Sequence, residues 1–310
     1  MFGKRLRQFT LAILILLIAG IGWMLKADIP AEEIRAKYTD SSSKFIDIDG
    51  LALHYKDQGQ GPALVLVHGS NASLHTWAGW VKELSKDFRI ITLDLPGHGV
   101  TGPDPKVRYD PISMAGVIDK FLQKIGVDRF SIAGNSMGGW IAWNYAVKYP
   151  EKVEKLILID SAGYPREEPL PIALRAYGLP YIGKLATYIT PRFAVEISMK
   201  DIYGDPTKVR EKDITLYHEL LLREGNREAT RTRLSLHRDK EAYKKIATIK
   251  APTLIMWGDL DRWILPKYGT RFADDIEGST LITYEDLGHA PMEEDPIRTA
   301  RDAKNFLLSD

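Results

Sequence analysis

The sequence contains no cysteine, which excludes disulfide bonds, thiolate catalysis and cysteine-based zinc or iron–sulfur sites. It also lacks an excess of charge of either sign, because 42 lysines and arginines against 41 aspartates and glutamates give a formal net charge of +1. We therefore expect neither nucleic-acid binding nor an acidic disordered tail. With 45% hydrophobic residues among 310, the chain can build a sizeable core, as two domains or one domain with an insertion.

The N-terminal region carries a long uncharged, mostly apolar stretch, residues 9–25, which follows Lys4, Arg5 and Arg7. A helix of that length spans roughly 25 Å, slightly less than the hydrocarbon core of a bilayer. We predict a retained single-pass anchor over residues 1–26, with a cleaved signal peptide as the alternative. The positive flank favours an extracytoplasmic (periplasmic) location for the remainder. The polar residues 27–43 are predicted to form a linker, or tether.

The rest of the sequence has the alternating pattern of an α/β domain. Residues 45–55 alternate around Asp49-Gly50, a dipeptide typical of two-residue hairpin turns. Short apolar runs, typical of strands buried on both faces, then alternate with helix-length segments. The strand-like runs are residues 63–67, 89–93, 129–133, 155–159, 253–257 and 280–284; the predicted helices are residues 74–84, 112–125, 136–148 and 296–308. This order predicts a mostly parallel, doubly wound sheet formed by residues 44–161 and 251–310.

Residues 162–250 interrupt this alternation, because they contain no convincing strand pattern. Their first half is rich in proline and tyrosine, and their second half is charged and helical in pattern from about residue 212 to residue 246. We predict a helical cap over the carboxyl ends of the strands, where open α/β sheets bind ligands. Aromatic residues on such a cap favour an apolar substrate.

Ser136 is the candidate nucleophile. It stands in Gly134-Asn-Ser-Met-Gly138, where a predicted strand ends and a predicted helix begins. A serine on such a tight turn adopts a strained backbone, and neighbours without a Cβ relieve the crowding. Its hydroxyl would project above the sheet beside the positive end of a helix dipole.

A serine hydroxyl needs a base to remove its proton during attack. His289 is the preferred base, because it follows the last strand-like run and therefore lies on a loop at the carboxyl edge. His75 is the second candidate, since it follows the first loop near the predicted site. Among the other histidines, His68 and His98 are predicted to brace turns, and His218 and His237 to have surface or packing roles in the cap. His54 lies on the early hairpin, far from the carboxyl edge of the sheet.

A carboxylate should orient that imidazole and stabilise its cation. Asp261 is preferred, because it lies past Gly258 in the loop that follows the penultimate strand-like run. Asp259 and Asp160 are the alternatives, the latter at the end of an earlier strand. With Asp261 the chain order is serine, aspartate, histidine, as expected for this type of fold.

The oxyanion of a tetrahedral intermediate requires two N–H donors. One is predicted to be the main-chain N–H of Met137, directly after the nucleophile. The second is predicted from the loop after residues 63–67, with Ser70 preferred and Asn71 as the alternative. Asn71 and Asn135 are further predicted to contact substrate.

Taken together, these motifs resemble the α/β-hydrolase superfamily over about residues 45–162 and 251–308. They are His68-Gly69, Asp94-Leu-Pro-Gly-His-Gly99, Gly134-Asn-Ser-Met-Gly-Gly139, Gly258-Asp-Leu-Asp261 and Gly288-His289. Ser136 argues against the haloalkane dehalogenase and epoxide hydrolase branches, which use an aspartate there. The anchor, cap and triad are similar to membrane-anchored acylglycerol lipases and carboxylesterases. The motif that Asn135 completes, Gly134-Asn-Ser-Met-Gly-Gly139, also resembles that of the meta-cleavage hydrolases, which break carbon–carbon bonds in ring-fission products of aromatic catabolism.

This resemblance implies a serine hydrolase that cleaves carboxylic esters, lipidic or otherwise apolar, through an acyl-enzyme and without a metal or organic cofactor. Its partners would be a small-molecule ester or lipid and, through residues 1–26, the membrane. Three alternatives stay open: a carbon–carbon bond hydrolase, a cofactor-free haloperoxidase or perhydrolase, and a membrane-tethered binding protein on an inactive hydrolase scaffold.

Overall fold

A computed structural model describes residues 7–11, 22, 24–169, 172–179, 182–236, 239 and 241–309. Residues 7–11 are helical, and within the ranges just given no helix is long and apolar enough to cross a membrane. Most of the predicted anchor, residues 1–6, 12–21 and 23, lies outside the described residues.

The sheet begins with the predicted hairpin, strands β1 (Ser43–Ile48) and β2 (Leu51–Gln58), which pair antiparallel. The turn between them consists of Asp49, with φ 60°, and Gly50, with φ 90°. Positive φ at both central residues is what a type I′ hairpin turn requires, so the Asp-Gly signal is confirmed.

Six further strands complete an eight-stranded sheet in the order β1-β2-β4-β3-β5-β6-β7-β8. They are β3 (Ala63–Val67), β4 (Arg89–Leu93), β5 (Phe130–Asn135), β6 (Val153–Ile159), β7 (Thr253–Gly258) and β8 (Thr280–Tyr284). β2 pairs antiparallel with β4, and all later pairs are parallel, which confirms the mostly parallel sheet. The chain leaves β3 and β5 towards opposite sides, which opens a crevice at their carboxyl ends.

Helices cover both faces of this sheet. On one face lie α2 (Ala78–Leu84), which continues a short 3₁₀ turn at Leu74–Trp77, and α12 (Pro296–Leu308); on the other lie α3 (Pro111–Lys124), α4 (Met137–Lys148) and α10 (Lys267–Asp275). Alternate residues of β3 serve the two cores: Leu64 and Leu66 pack on the first face, Val65 and Val67 on the second. A continuous apolar run is therefore the expected sequence of such a strand.

Five α-helices are described between β6 and β7, beside three short 3₁₀ helices: α5 (Ile172–Arg175), α6 (Ile182–Ala186), α7 (Arg192–Ile202), α8 (Glu211–Leu222) and α9 (Asn226–Ser235). The described residues between 162 and 250 contain no strand, as the sequence predicts. We call these helices and their connections the cap.

The linker prediction for residues 27–43 is wrong, because this segment contains helix α1 (Ala31–Tyr38). Ile34 on α1 is only 1% exposed and packs with Val100 of the core and Leu220 of the cap. Tyr38 also donates a hydrogen bond to Glu219 of the cap. A segment that is polar overall is thus ordered by one buried isoleucine and its tertiary contacts.

Candidate active site

Ser136 stands between β5 and α4 with φ 56° and ψ −117°, a strained conformation for a residue with a Cβ. The neighbouring glycines permit this turn. A Cβ at Gly138 would lie 2.0 Å from the Val67 carbonyl oxygen, and one at Gly134 would lie 2.3 Å from the main chain of Gly138. These distances are the steric reason for glycine on both sides of the serine.

His289 follows β8 and is 4% exposed. Its Nδ1 lies 2.7 Å from Oδ2 of Asp261, which follows β7. The other carboxylate oxygen of Asp261 accepts main-chain N–H bonds from Trp263 at 2.7 Å and Ile264 at 2.9 Å. When Nδ1–H donates to Asp261, Nε2 is left as the acceptor, which is the tautomer a general base needs.

Two side chains hold the His289 loop in place. The Asn135 amide nitrogen donates to the His289 carbonyl oxygen at 2.9 Å and to the Ile159 carbonyl oxygen at 3.2 Å. The Glu294 carboxylate accepts N–H bonds from Gly288 and Gly204, each at 2.9 Å. Sequence reasoning missed the role of Glu294, although a carboxylate shortly after a candidate base is a signal that could have found it.

Asp160, the alternative orienting acid, is fully buried at the end of β6 and does not pair with His289. Its Oδ1 accepts the Gly258 N–H at 3.0 Å, and its buried Oδ2 has no donor among the described residues. The ligand atoms of Asp160, Asp261 and His289 lie within 4.8 Å of one another, and this trio is the one such group found in the described part of the chain. Burial and the nearby Asp261 charge raise the pKa of Asp160 well above its usual range. This shift favours the protonated form of Asp160, whose hydroxyl can donate a hydrogen bond to the nearby Asp261 carboxylate.

Ser136 and His289 open onto the same cavity, of about 720 Å³, beneath the cap. The cap contributes mostly apolar side chains to its wall: Leu174, Tyr177, Ile189, Phe193, Val195, Met199, Leu221 and Leu234. Such a lining binds apolar groups by removing their surface from water.

The residues predicted to hold the oxyanion or to contact substrate also line this cavity: Ser70, Asn71, Asn135 and Met137. The Ser70 hydroxyl donates to the Met137 Sδ at 3.6 Å, so the two residues are adjacent. Asn71 has φ 56°, and its amide oxygen accepts a hydrogen bond from Thr230 of the cap at 3.1 Å. The loop after β3 is thereby tied to α9.

The remaining described histidines have partners away from Ser136. His75 does not line the cavity; its Nδ1 lies 3.0 Å from the Ser73 hydroxyl and its ring contacts Tyr38. Burial lowers the pKa of His75, which keeps it neutral. His68 and His98 brace turns, as predicted, through main-chain hydrogen bonds, and His54 pairs with Asp94 at 2.8 Å. His218 bonds the Thr190 carbonyl oxygen, and His237 lies outside the described residues.

Trp263 is a site residue that the sequence reasoning did not single out. Its indole lies 5.6 Å from the His289 ring, centre to centre, and its Nε1–H donates to Asp201 of the cap at 2.8 Å. It lines the cavity beside the candidate base and limits the positions the imidazole can adopt.

A mostly parallel sheet, a serine on a strained strand-to-helix turn and a cap over the carboxyl ends of the strands define an α/β hydrolase fold. The sequence model of the alpha/beta hydrolase fold family matches residues 62–185. The chain therefore has the α/β-hydrolase fold and is a hydrolase.

Two kinds of hydrolase are among the similar proteins of known activity. The chain is 25% identical to 2-hydroxy-6-oxo-6-phenylhexa-2,4-dienoate hydrolase of Comamonas testosteroni, over 88% of this chain and 96% of that one. It is 28% identical to monoacylglycerol lipase ABHD6 of Mus musculus, over 81% of this chain and 77% of that one. Among solved structures, a bacterial membrane phospholipase A superposes with a TM-score of 0.73 and 25% identity, covering 97% of this chain and 98% of that one.

Proposed function

We propose that the protein is a serine hydrolase that cleaves carboxylic esters with apolar acyl groups. The observation that carries this proposal is the cavity of about 720 Å³, whose wall holds Ser136 and His289 together with an apolar cap surface. The similarity to a monoacylglycerol lipase and to a membrane phospholipase A supports the same reaction class.

In the proposed mechanism, His289 Nε2 accepts the Ser136 proton as the serine oxygen attacks the ester carbonyl carbon. Asp261, 2.7 Å from Nδ1, stabilises the imidazolium that forms. The main-chain N–H groups of Met137 and Ser70 hold the oxyanion. His289 then protonates the departing alcohol, and the same histidine activates a water that releases the acyl group from Ser136.

The proposal is tested by measuring hydrolysis of p-nitrophenyl esters from acetate to palmitate, with a fluorophosphonate probe to count reactive serines. Ser136→Ala and His289→Ala should each lower kcat by roughly 10⁴- to 10⁶-fold, because catalysis then rests on the oxyanion donors and binding alone. His75→Ala is the matched control and should keep activity. More than a tenth of wild-type turnover in Ser136→Ala, or no labelling of Ser136 in folded protein, would refute the proposal.

A second candidate, hydrolysis of a carbon–carbon bond, is favoured by the similarity to the dienoate hydrolase and by cations in the cavity wall. Arg166 and Arg233 both line the cavity, and a substrate of that class carries a carboxylate. Assaying a dienoic keto-acid beside p-nitrophenyl butyrate separates the two: a higher kcat/KM on the keto-acid would favour carbon–carbon cleavage.

We further propose that residues 1–26 anchor the enzyme in a membrane, with the catalytic domain on the extracytoplasmic side. The chain that follows the apolar stretch is fixed to the cap, since the Lys26 N–H donates to the Tyr188 carbonyl oxygen at 2.9 Å. Leu185 and Tyr188 are both 53% exposed there, which suits contact with lipid.

A carbonate wash of membranes tests the anchor, with Leu16→Arg as the variant that introduces a charge into the apolar stretch. The wild-type chain should stay with the membrane and the variant should be depleted from it. Equal release of both, or a mature N-terminus at Asp28, would contradict a retained anchor and favour the signal peptide.

A further inference from the structure

A cluster of polar side chains lies on the wall of the otherwise largely apolar cavity. Glu293 belongs to the short helix α11 (Pro291–Glu294), four residues after His289. The hydroxyls of Thr76 and Tyr217 both donate to its Oε1, and the Tyr203 hydroxyl donates to its Oε2 at 3.2 Å. Glu293, Thr76 and Tyr217 line the cavity, whereas Tyr203 does not.

The direction of these hydrogen bonds determines what the cluster offers to a ligand. Thr76 and Tyr217 each donate their single hydroxyl hydrogen to the same carboxylate oxygen, and their hydroxyl oxygens lie 3.4 Å apart. Each hydroxyl oxygen still has a lone pair that can accept a hydrogen bond from a ligand. Oε2 of Glu293 accepts one long bond and retains acceptor capacity. The surface facing the cavity therefore presents hydrogen-bond acceptors, and it matches a ligand that donates hydrogen bonds.

The position of the cluster in the cavity places it on the side where the alcohol portion of an ester would bind. His289 must come within hydrogen-bond reach of the departing oxygen in order to protonate it, so the alcohol portion lies on the histidine side of the scissile bond. Glu293 is carried by the helix that begins directly after the His289 loop, and Thr76 lies on the 3₁₀ turn after the Ser70 loop. The apolar wall supplied by the cap is left for the acyl chain.

We propose that Thr76, Tyr217 and Glu293 form a subsite that binds hydroxyl groups on the alcohol portion of the substrate ester. The preferred substrate is then an apolar acyl ester of a polyol, rather than of a simple alkanol. This inference rests on the proposed ester hydrolysis at Ser136 and adds the recognition of the leaving group.

The test compares three esters of one acyl chain at pH 8 on the full-length protein. In 1-decanoylglycerol the alcohol donates hydrogen bonds, in decanoylcholine it is cationic without a donor, and in propyl decanoate it is neither. Wild-type kcat/KM should be highest on the glycerol ester. Because leaving groups differ in intrinsic reactivity, the quantity compared between proteins is the ratio of kcat/KM for the glycerol ester to that for the propyl ester.

Glu293→Leu should lower this ratio by roughly tenfold to a hundredfold, since the hydrogen bonds that the substrate donates to the carboxyl group are lost. Tyr217→Phe and Thr76→Val should each lower it by a smaller factor. Glu285→Gln changes an exposed glutamate outside the cavity and is the matched control. Melting temperature and fluorophosphonate titration establish that each variant is folded and contains a reactive serine.

An unchanged ratio in folded Glu293→Leu would overturn the subsite. A preference for decanoylcholine that disappears in Glu293→Gln would overturn it too, because recognition would then follow charge rather than hydrogen-bond donation. Hydrolysis of p-nitrophenyl decanoate with equal kcat/KM for glycerol and propyl esters leaves the ester hydrolase standing and removes only the subsite. No turnover of any ester would instead remove the proposed function.

Discussion

Ser136 adopts a backbone conformation that is unfavourable for a serine, and this conformation fixes the position of its hydroxyl. The φ of 56° and ψ of −117° are accessible to glycine but strained for any residue with a Cβ. The surrounding contacts impose this conformation, because Ser136 N donates to the Ile159 carbonyl oxygen and the Ser136 carbonyl oxygen accepts from Ala162. An alanine at position 136 would be strained in the same way as the serine, whereas a glycine would not be.

We therefore expect Ser136→Gly to be more stable than Ser136→Ala by about 1 kcal/mol, after the greater unfolded-state entropy of glycine is subtracted from the relieved strain. Both variants are inactive in the proposed mechanism, so urea unfolding isolates the backbone effect. Equal unfolding midpoints would indicate that Ser136 carries no strain.

Asp160 and Asp261 are distinguished by their hydrogen bonds. Asp160→Asn preserves shape, keeps an acceptor for the Gly258 N–H and places an amide donor where the protonated acid can donate. We expect Asp160→Asn to retain kcat within about tenfold, and Asp261→Asn to lose about 10⁴-fold because the imidazole tautomer is wrong. The reverse ranking would make Asp160 the orienting acid.

The raised pKa of Asp160 also has a consequence for stability. Because the pKa of Asp160 is higher in the folded state than in the unfolded state, the folded state keeps this proton over a pH range in which the unfolded state has lost it. The burial of Asp160 therefore becomes more unfavourable as the pH rises above the usual carboxyl range. The stability of Asp160→Asn relative to wild type should increase from pH 4 to pH 7, by at most about 1.4 kcal/mol per pH unit. Urea unfolding at several pH values measures it, and a pH-independent difference would mean that Asp160 is ionised in the fold.

At the scale of elements, helix α1 shows how a polar segment becomes part of the structure. Ile34 is buried at 1% exposure between Val100 and Leu220. Ile34→Ala should lower the free energy of unfolding by about 2–3 kcal/mol through lost burial and the cavity it leaves. Ile297→Ala, at a site 68% exposed, is the control and should change stability by less than about 0.5 kcal/mol. A similar small effect of both would mean that α1 is not packed as described.

The elements that could be predicted from the sequence are those with a regular hydrophobic pattern or a characteristic turn dipeptide. The β3 run and the strand before Ser136 were identifiable because strands buried on both faces must be continuously apolar, and the hairpin because Asp49-Gly50 satisfies a turn with two positive φ values. Helix α1 could not be predicted in this way, since a single isoleucine among charged residues gives no periodic hydrophobic pattern. Nor could the Glu293 cluster, because Thr76, Tyr217 and Glu293 come from three distant segments that only the tertiary fold brings together.

At the scale of the whole molecule, residues 26–29 are connected to the cap by several hydrogen bonds and an ion pair. Arg227 of α9 is 3% exposed at its side chain and donates to Asp28 at 2.6 Å and to the Lys26 carbonyl oxygen at 2.7 Å. Ile29 N donates to the Leu222 carbonyl oxygen at 2.8 Å, and Glu224 N to the Ile29 carbonyl oxygen at 2.9 Å. The cap is therefore attached to the segment that leads out of the apolar N-terminal stretch.

Asp28→Ala should loosen this attachment by about 1–2 kcal/mol, a value reduced for the partial exposure of Asp28. Hydrogen–deuterium exchange should quicken across α8 and α9, while β5 and β6 keep wild-type protection. Lys37→Ala, which removes an exposed ion pair with Glu219, should have little effect. Faster exchange spread evenly over sheet and cap would indicate global destabilisation instead.

The end of α7 contacts the loop that carries His289: the Ile202 carbonyl oxygen accepts the His289 N–H at 2.7 Å, and the N–H groups of Gly204 and Asp205 donate to Glu294. Transplanting a foreign cap onto this scaffold, as an engineer would to alter chain-length selectivity, must therefore spare residues 202–205. A graft that replaces these residues would remove the hydrogen bonds that position His289 as well as change the cavity wall. A resulting loss of turnover could then be attributed wrongly to poor substrate fit.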